Sequence, residues 1–209
     1  MAGYNFVNNQ YYEIINKKSG KVADVNNGSQ SDNANIIQWT AQQSDNQKFL
    51  FFPLDGEMYA IAAKSSGKVW DVKGGSTSEK ANIAQYTWHG DTNQQWYTNQ
   101  VSSSYEIINK NSGQVADVYE GSTSNGANIT QFPRNNGDNQ KWSFSAVETI
   151  PLPAVLDTKP LPEIPKYTSS PNEVLPAQTV PVITATALLP CIMVEDNRWD
   201  HRSKMQSSP

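Results

Sequence analysis

The fold is decided by residues 12–49, which read YEIINKKSGKVADVNNGSQSDNANIIQWTAQQSDNQKF. The same pattern recurs, without insertion or deletion, in residues 59–96 and 105–142. The first and third copies are identical at 23 of 38 positions, and the starting tyrosines are 47 and 46 residues apart. Repetition at a fixed period of this length is typical of architectures built from one repeated supersecondary unit. The repeat therefore takes precedence over every other signal in the sequence.

Each copy contains four short segments rich in strand-forming residues, separated by polar turns. No segment has a helical period that competes with this interpretation. In the first copy, the predicted strands cover residues 12–15, 21–25, 36–40 and 49–52. Residues 1–10 form a lead-in whose Tyr4 and Phe6 are available to pack against the body. The three copies together predict an all-β protein of twelve strands.

Three copies favour closure around a pseudo-threefold axis. A propeller usually needs at least four blades, and a solenoid would stack with open ends. We therefore predict a β-trefoil, in which three four-stranded lobes contribute equally to one core. The predicted core residues occupy matching repeat positions: Ile14, Ile61 and Ile107; Val25, Val72 and Val118; Ile36, Ile83 and Ile129; Phe49, Trp96 and Trp142.

The composition limits the classes of partner. Only 17% of the 209 residues are charged, the net charge is −4, and no basic run stands out, so nucleic acid and anionic membranes are poor partners. The surface must be largely Asn, Gln, Ser and Thr, which suits a hydroxylated ligand. Cys191 is the sole cysteine, so an intramolecular disulfide is impossible and a Cys/His zinc site lacks ligands. We expect neither a metal nor a cofactor.

The two ends of the chain differ from the repeats. The N-terminus has neither a charged n-region nor an apolar h-region, so we expect no secretory signal, and no stretch approaches the roughly 18–20 apolar residues of a membrane span. Ten of the twelve prolines lie between Pro151 and Pro209. We therefore predict a trefoil domain over residues 1–146 and a Pro-rich extended segment over residues 147–209. Within that segment, residues 182–194 are apolar enough for one or two strands.

The spacing of Asp-Val, Gln-aromatic and Asn-Gln-x-aromatic resembles that of the ricin B-type lectins, including bacterial carbohydrate-binding modules. The resemblance covers about residues 10–145. It implies that an Asp and an Asn hydrogen-bond neighbouring sugar hydroxyls, that a ring stacks on the sugar, and that a Gln braces the Asp. The matching residues are Asp24, Trp39, Asn46 and Gln47; Asp71, Tyr86, Asn93 and Gln94; and Asp117, Phe132, Asn139 and Gln140.

The chemistry of these residue types agrees with a sugar ligand. A pyranose has vicinal hydroxyls on one edge and a C–H patch on one face. A fixed carboxylate accepts hydrogen bonds from two hydroxyls, an amide both donates and accepts, and an aromatic ring covers the C–H patch. The residues three positions after the rings are Gln42, His89 and Asn135, where relatives often touch the sugar, so His89 is added to the candidate site of the second lobe.

One position departs from the family pattern. Many relatives have a Gln two residues before the ring, whereas this chain has Ile37, Ala84 and Thr130. Galactose-type glycans are the family default, and the loss of this Gln weakens that expectation. Structural roles also stay open at this stage: the site glutamines can hold loops, the aspartates can cap turns, and the rings can be buried. Trp70 and Trp88 occur only in the second lobe, as packing residues or as rim contacts.

The tail carries a second resemblance. VETIPLPAVLDTKPLPEIPKY and LLPCIMVED resemble the junction after the lectin domain of bacterial binary insecticidal crystal toxins. This implies the receptor-recognition head of a pore-forming toxin, followed by a truncated start of the pore module. Its partners would be glycans on cell-surface glycoproteins or glycolipids and a second toxin component. We expect accumulation in the producing bacterium, including as a crystal inclusion, and action outside it.

Three other functions compete with a lectin. A glycosidase needs two carboxylates across one cleft, whereas Asp24, Asp71 and Asp117 lie on separate lobes, and neither His89 nor His201 has a nucleophile partner, so we expect no enzyme. A protein-interaction or protease-inhibitor scaffold would not require the Asp, ring and Asn set to recur. A complete membrane-inserting toxin would lyse membranes without a partner.

Overall fold

The computed structural model describes residues 3–150, and the predictions made for residues 151–209 lie outside the described residues. As predicted, the described part is all-β. Its strands are β1 (Gln10–Asn16), β2 (Val22–Val25), β3 (Ile36–Trp39), β4 (Phe49–Pro53), β5 (Tyr59–Ala63), β6 (Val69–Val72), β7 (Ile83–Tyr86), β8 (Trp96–Val101), β9 (Ser104–Asn109), β10 (Val115–Val118), β11 (Ile129–Phe132) and β12 (Trp142–Thr149). Short 3-10 turns follow the second and third strands of each lobe. No helix within residues 3–150 is long and apolar enough to cross a membrane.

Six strands form a closed ring, in the order β1, β4, β5, β8, β9, β12 and back to β1. The other six form three hairpins, β2–β3, β6–β7 and β10–β11. Isolated β-bridges join each hairpin to both of the others. They pair Asn35 with Ala84, Asn82 with Thr130, and Ile37 with Asn128. A closed ring with three mutually bridged hairpins is the β-trefoil that the repeats predict. The predicted domain boundary at residue 146 falls within β12, which continues to Thr149.

The core follows the repeat. All twelve residues predicted for it are at most 1% exposed, and they belong to one cluster. Trp96 and Trp142 also donate Nε1–H hydrogen bonds of 3.1 Å to the carbonyls of Trp70 and Ala116, so their polar atoms are satisfied. Burial of three large aromatic side chains and nine aliphatic ones at matching positions gives each lobe an equal share of the core.

The core departs from threefold symmetry at one place, and this departure explains the role of Trp70. The first lobe carries Phe49 where the others carry Trp96 and Trp142, and the second lobe carries Trp70 where the others carry alanine. Trp70 is fully buried, and its ring packs edge-on against Phe49 at 5.7 Å and against Trp96 at 6.0 Å. Trp70 therefore fills the volume that the smaller Phe49 leaves, so it is a packing residue.

The glutamine of each Gln-aromatic pair joins neighbouring lobes. Gln38 is fully buried, donates from Nε2 to the carbonyls of Ser122 and Ser124, both at 2.9 Å, and accepts from Ser19 Oγ at 2.7 Å. The same bonds are formed by Gln85 and Gln131. Because each amide connects its own hairpin to a loop of another lobe, these glutamines fix the relative positions of the lobes. The predicted lead-in also packs: Phe6 stacks on Phe51 with ring centroids 3.6 Å apart.

Candidate carbohydrate sites

Strand pairing places the aspartate and the aromatic ring of each lobe on one face. In the β2–β3 hairpin, Asp24 lies opposite Ile37 and Val22 lies opposite Trp39. Because side chains alternate along a strand, Asp24, Ile37 and Trp39 share the face that points away from the core. The register of the other two hairpins is identical. Many relatives have a Gln at this position. Here the side chain directly opposite Asp24 is the apolar Ile37, and the one opposite Asp71 is the small Ala84.

A 3-10 turn supplies the amides of each site. The turns are Asp45–Gln47, Thr92–Gln94 and Asp138–Gln140. Gln140 and Asn139 donate from their side-chain nitrogens to Asp117 Oδ2, each at 2.9 Å, and Gln94 and Asn93 do the same to Asp71 at 2.9 and 3.0 Å. In the first lobe, Gln47 donates to Asp24 Oδ2 at 2.8 Å. One carboxylate oxygen therefore holds each aspartate in place, with two amide donors in the second and third lobes and one in the first.

The second carboxylate oxygen remains available. No residue within 3–150 donates a hydrogen bond to Oδ1 of Asp24, Asp71 or Asp117. Each aspartate is 4% exposed, so a small part of its surface stays open to solvent. A fixed, ionised acceptor with one open lone-pair side suits a donor hydroxyl of a ligand. The pKa of all three carboxyls is raised, because burial disfavours the charge more than the amides favour it.

Each site glutamine has two roles at once. Gln140 Oε1 accepts the backbone N–H of Asn135 at 2.9 Å, and its Nε2 donates to the carbonyl of Pro133 at 3.0 Å as well as to Asp117. Gln47 and Gln94 bond their loops in the same way. The same buried amide therefore supports both the loop and the aspartate.

The rings are half-buried. Trp39, Tyr86 and Phe132 are not fully buried, so part of each side chain is open to solvent. In the second lobe His89 lies beside Tyr86, with ring centroids 5.8 Å apart. Its Nε2 is 3.3 Å from Asp71 Oδ2 and its Nδ1 is 3.2 Å from Asp91 Oδ2. His89 thus bridges two carboxylates at the site rather than presenting a free ring nitrogen.

The sequence match agrees with this geometry. Residues 4–86, 45–132 and 92–152 match the model of the ricin-type beta-trefoil lectin domain-like family, and together they cover well over half of the chain. The chain belongs to this family. A comparison with curated protein sequences gave no match.

Solved structures share the fold of this lectin domain. ThreeFoil, a designed threefold-symmetric protein, is 41% identical with a TM-score of 0.63, and the match covers 64% of this chain and 96% of ThreeFoil. An exo-beta-1,3-galactanase from Clostridium thermocellum is 33% identical with a TM-score of 0.66, over 68% of this chain and 31% of the galactanase. Cry35Ab1 is 27% identical with a TM-score of 0.56, over 78% of this chain and 43% of Cry35Ab1. The chain thus spans less than half of the last two proteins.

The three candidate sites are not equally supported by neighbouring lobes. Asn16 donates to the carbonyl of Asn139 at 3.0 Å, and Asn109 donates to that of Asn93 at 3.0 Å. The matching residue for the first site is Ala63, which has no side-chain donor. Asn46 bonds the carbonyl of Val25 at 3.2 Å, and its contact with Asp24 is weaker than a well-formed hydrogen bond. The amide of the first site is therefore the least fixed.

The loop after the ring is braced by a large side chain in two of the three lobes. Arg134 forms a bidentate ion pair with the buried Glu106, with Nε–Oε1 and Nη2–Oε2 distances of 2.8 Å. At the matching positions of the second lobe, the half-buried Trp88 packs on a cluster that includes Ala60. Trp88 is therefore a packing residue. The first lobe has Ala41 and Glu13, and Glu13 Oε1 is buried without a partner. Only the second and third loops are braced in this way.

Ala41→Arg is expected to brace the first loop. By analogy with Arg134 and Glu106, the new guanidinium would pair with Glu13 and satisfy its buried oxygen, raising the free energy of unfolding by about 1 kcal/mol. Urea denaturation of the wild type and the variant measures this change. The double variant Ala41→Arg with Glu13→Gln is the control, because it removes the charge of the acceptor. Equal stabilisation in the single and double variants would contradict the predicted pair.

Proposed function

We propose that this domain binds carbohydrate, chiefly through the second and third lobes. The observation that carries the proposal is the threefold recurrence of an aspartate with one oxygen held by amides and no hydrogen-bond donor on the other, beside a partly buried ring. The carboxylate would accept hydrogen bonds from neighbouring hydroxyls while the ring covers a C–H face of the sugar. Membership of the ricin-type lectin domain family supports this function. The weaker fixation of Asn46, and a loop without a counterpart of Arg134 or Trp88, support the proposal that the first lobe contributes least.

Each site offers one carboxylate, one amide and one ring, and we expect such a small set of contacts to bind a single sugar weakly. Sites on different lobes of one rigid body gain strength when a surface carries many glycans, because the second contact is made at a high effective concentration. We expect avidity on multivalent glycans to exceed the affinity for a free monosaccharide by a large factor. Galactose-type glycans are the first candidates, from the family and from the 33% identity with part of a galactanase.

We further propose that the chain is the receptor-recognition part of a bacterial insecticidal pore-forming toxin. The similarity to Cry35Ab1 supports this role, since it extends over 78% of this chain whereas the match to ThreeFoil covers 64%. Its targets would be glycoproteins or glycolipids on insect cells, with a second toxin component as partner. The proposal includes accumulation in the producing bacterium and action outside it.

A glycan array with the intact chain tests carbohydrate binding, and labelled protein on insect midgut cells tests the toxin role. The lectin proposal requires binding on the array that a soluble form of the same sugar inhibits. The toxin proposal requires sugar-inhibited binding to midgut cells in addition. A folded chain that binds no glycan would overturn both and favour a protein-interaction scaffold.

Binding is expected to weaken on acidification at a higher pH than for an ordinary aspartate. The pKa of Asp24, Asp71 and Asp117 is raised by burial, so these groups lose the carboxylate that accepts sugar hydroxyls at a higher pH than an ordinary aspartate does. Their protonation relieves a buried charge, so it does not unfold the protein.

The fold should persist at pH values where binding is already weak. Asp45, Asp138 and Glu148 have a lowered pKa because lysines hydrogen-bond to them. Their stabilising contribution is complete above the pKa of the unfolded chain and is lost only as the pH falls through the lowered values. Glycan binding and near-ultraviolet circular dichroism, followed over the same pH series, measure the two events. Simultaneous loss of both signals would contradict the prediction.

A further inference from the structure

The third site is completed by a turn that belongs to the first lobe. Lys17 donates its backbone N–H to the carbonyl of Lys141 at 2.9 Å, and its ammonium lies 3.2 Å from Asp138. Together with the bond from Asn16 to Asn139, these contacts hold the turn against the segment that carries the site amides. The position of the next residue, Lys18, is therefore fixed relative to the third site by three interactions between lobes.

The side chain of Lys18 reaches the edge of that site. A Cβ atom placed on Gly121 would lie 2.6 Å from Lys18 Nζ and 3.7 Å from Asn139 Cγ, so the ammonium stands against the backbone of Gly121 next to the site amide. Gly121 has a φ of +62°, and the lack of a side chain leaves this approach open. Asn139 is the residue whose amide holds Asp117. The positive charge of Lys18 also opposes the effect of burial, which raises the pKa of Asp117.

This ammonium is exposed and has no ion-pair partner within residues 3–150. The residues that match Lys18 in the other two lobes are uncharged. Asn111, beside the second site, bonds the carbonyl of Gly75 at 2.9 Å and Thr92 Oγ1 at 3.0 Å. Ser65 is the matching residue for the first site, and its hydroxyl is buried. Among these three matching positions, a charged side chain therefore occurs only beside the third site.

We propose that the third lobe selects glycans that carry an anionic group, a carboxylate or a sulfate, and that Lys18 determines this selectivity. The proposal rests on the proposed carbohydrate function. An ammonium forms charge-assisted hydrogen bonds with either anion, while Asp117 Oδ1 binds the hydroxyls of the same glycan. The anion must lie on the Lys18 side of the sugar, because Asp117 repels a group placed near its open oxygen. The first and second sites would bind neutral sugars.

The test uses the full chain with Asp24→Asn and Asp71→Asn, so that only the third site is intact. Its binding is compared on surfaces carrying a neutral β-galactoside, the same galactoside with a sulfate ester, and the same galactoside with a terminal sialic acid. The measured quantity is the ratio of acidic to neutral affinity. Lys18→Gln is added to this background, and Lys110→Gln is the matched control, because it removes one exposed lysine from the equivalent turn of the third lobe.

We expect at least one acidic glycan to bind about 3- to 10-fold better than the neutral one at low salt, with a ratio that falls as salt screens the pair. Lys18→Gln should reduce the ratio to about 1, and Lys110→Gln should leave it unchanged. Equal binding of neutral and acidic glycans, or equal loss of the ratio in both variants, would overturn the role of Lys18 while leaving carbohydrate binding intact. Absence of all glycan binding by the wild-type chain would instead overturn the proposed function itself.

Discussion

Replacement of Trp142 by alanine is expected to lower the free energy of unfolding by about 3–5 kcal/mol. Trp142 is fully buried in the common core, and its Nε1–H bonds the carbonyl of Ala116. Truncation removes a large apolar surface, leaves a cavity that rigid strands close only in part, and orphans a buried carbonyl. Urea denaturation followed by circular dichroism measures the loss.

Two further variants are compared with Trp142→Ala. Trp142→Phe should cost less than alanine, because the first lobe already carries Phe49 at the matching position, although there Trp70 fills the remaining volume. Trp88→Ala should cost clearly less, because Trp88 is only half-buried and packs on a small satellite cluster. If Trp142→Ala and Trp88→Ala unfolded at the same urea concentration, the shared core would not be the main source of stability.

Asp71→Asn combined with Asp117→Asn is expected to reduce binding to a multivalent glycan by at least about 100-fold. Hydrogen bonds to a charged acceptor contribute about 1.5–3 kcal/mol, which corresponds to roughly 10- to 100-fold for each site. The fold should be retained, because the carboxamide oxygen can replace Oδ2 as acceptor from the site amides. The amide nitrogen then replaces Oδ1, so an acceptor facing the ligand becomes a donor.

Surface plasmon resonance on a glycan-coated chip measures this effect, and the melting temperature of each variant verifies the fold. Asp24→Asn alone is the matched control, since it makes the same substitution in the lobe whose amide and loop are least fixed, and it should reduce binding least. If Asp24→Asn weakened binding more than the double variant did, the order that we assign to the lobes would be wrong. Binding that persisted in all variants would place the ligand away from the aspartates.

The sequence predicted the strands, the fold and the core because these depend on local patterns repeated three times. Ile14, Val25 and Ile36 recur at fixed spacings, and a threefold arrangement requires that matching residues meet. The role of Gln38 was not predicted, since its partners Ser122 and Ser124 are more than 80 residues away and belong to another lobe. The same reason left the approach of Lys18 to the third site unpredicted. Arg134 and Glu106 lie only 28 residues apart in the third lobe, and their pairing depends on the three-dimensional path of the loop that carries Arg134.

In the sequence, these contacts are indicated by positions at which the three copies differ. Ala63 in place of Asn16 and Asn109, and Lys18 in place of Ser65 and Asn111, are visible in an alignment of the three repeats. Their consequences depend on which lobe each turn contacts, and only the closed ring defines this. Trp70 could likewise be assigned to the core only from the structure, which shows that it packs against Phe49. The placement of the site residues themselves came from the family resemblance.

Pairing of the first strand with the last constrains how this protein is made in the cell. Gln10 lies opposite Thr149 in the β1–β12 ladder, so the ring cannot close until nearly 150 residues have left the ribosome. Contacts between residues so far apart in sequence slow folding, because the entropy of closing a long loop is lost before they form. Until then β1 has an unpaired edge that can join a neighbouring nascent chain. Early release of this chain would therefore favour aggregation, whereas a pause in translation after β12 would favour the native lectin domain.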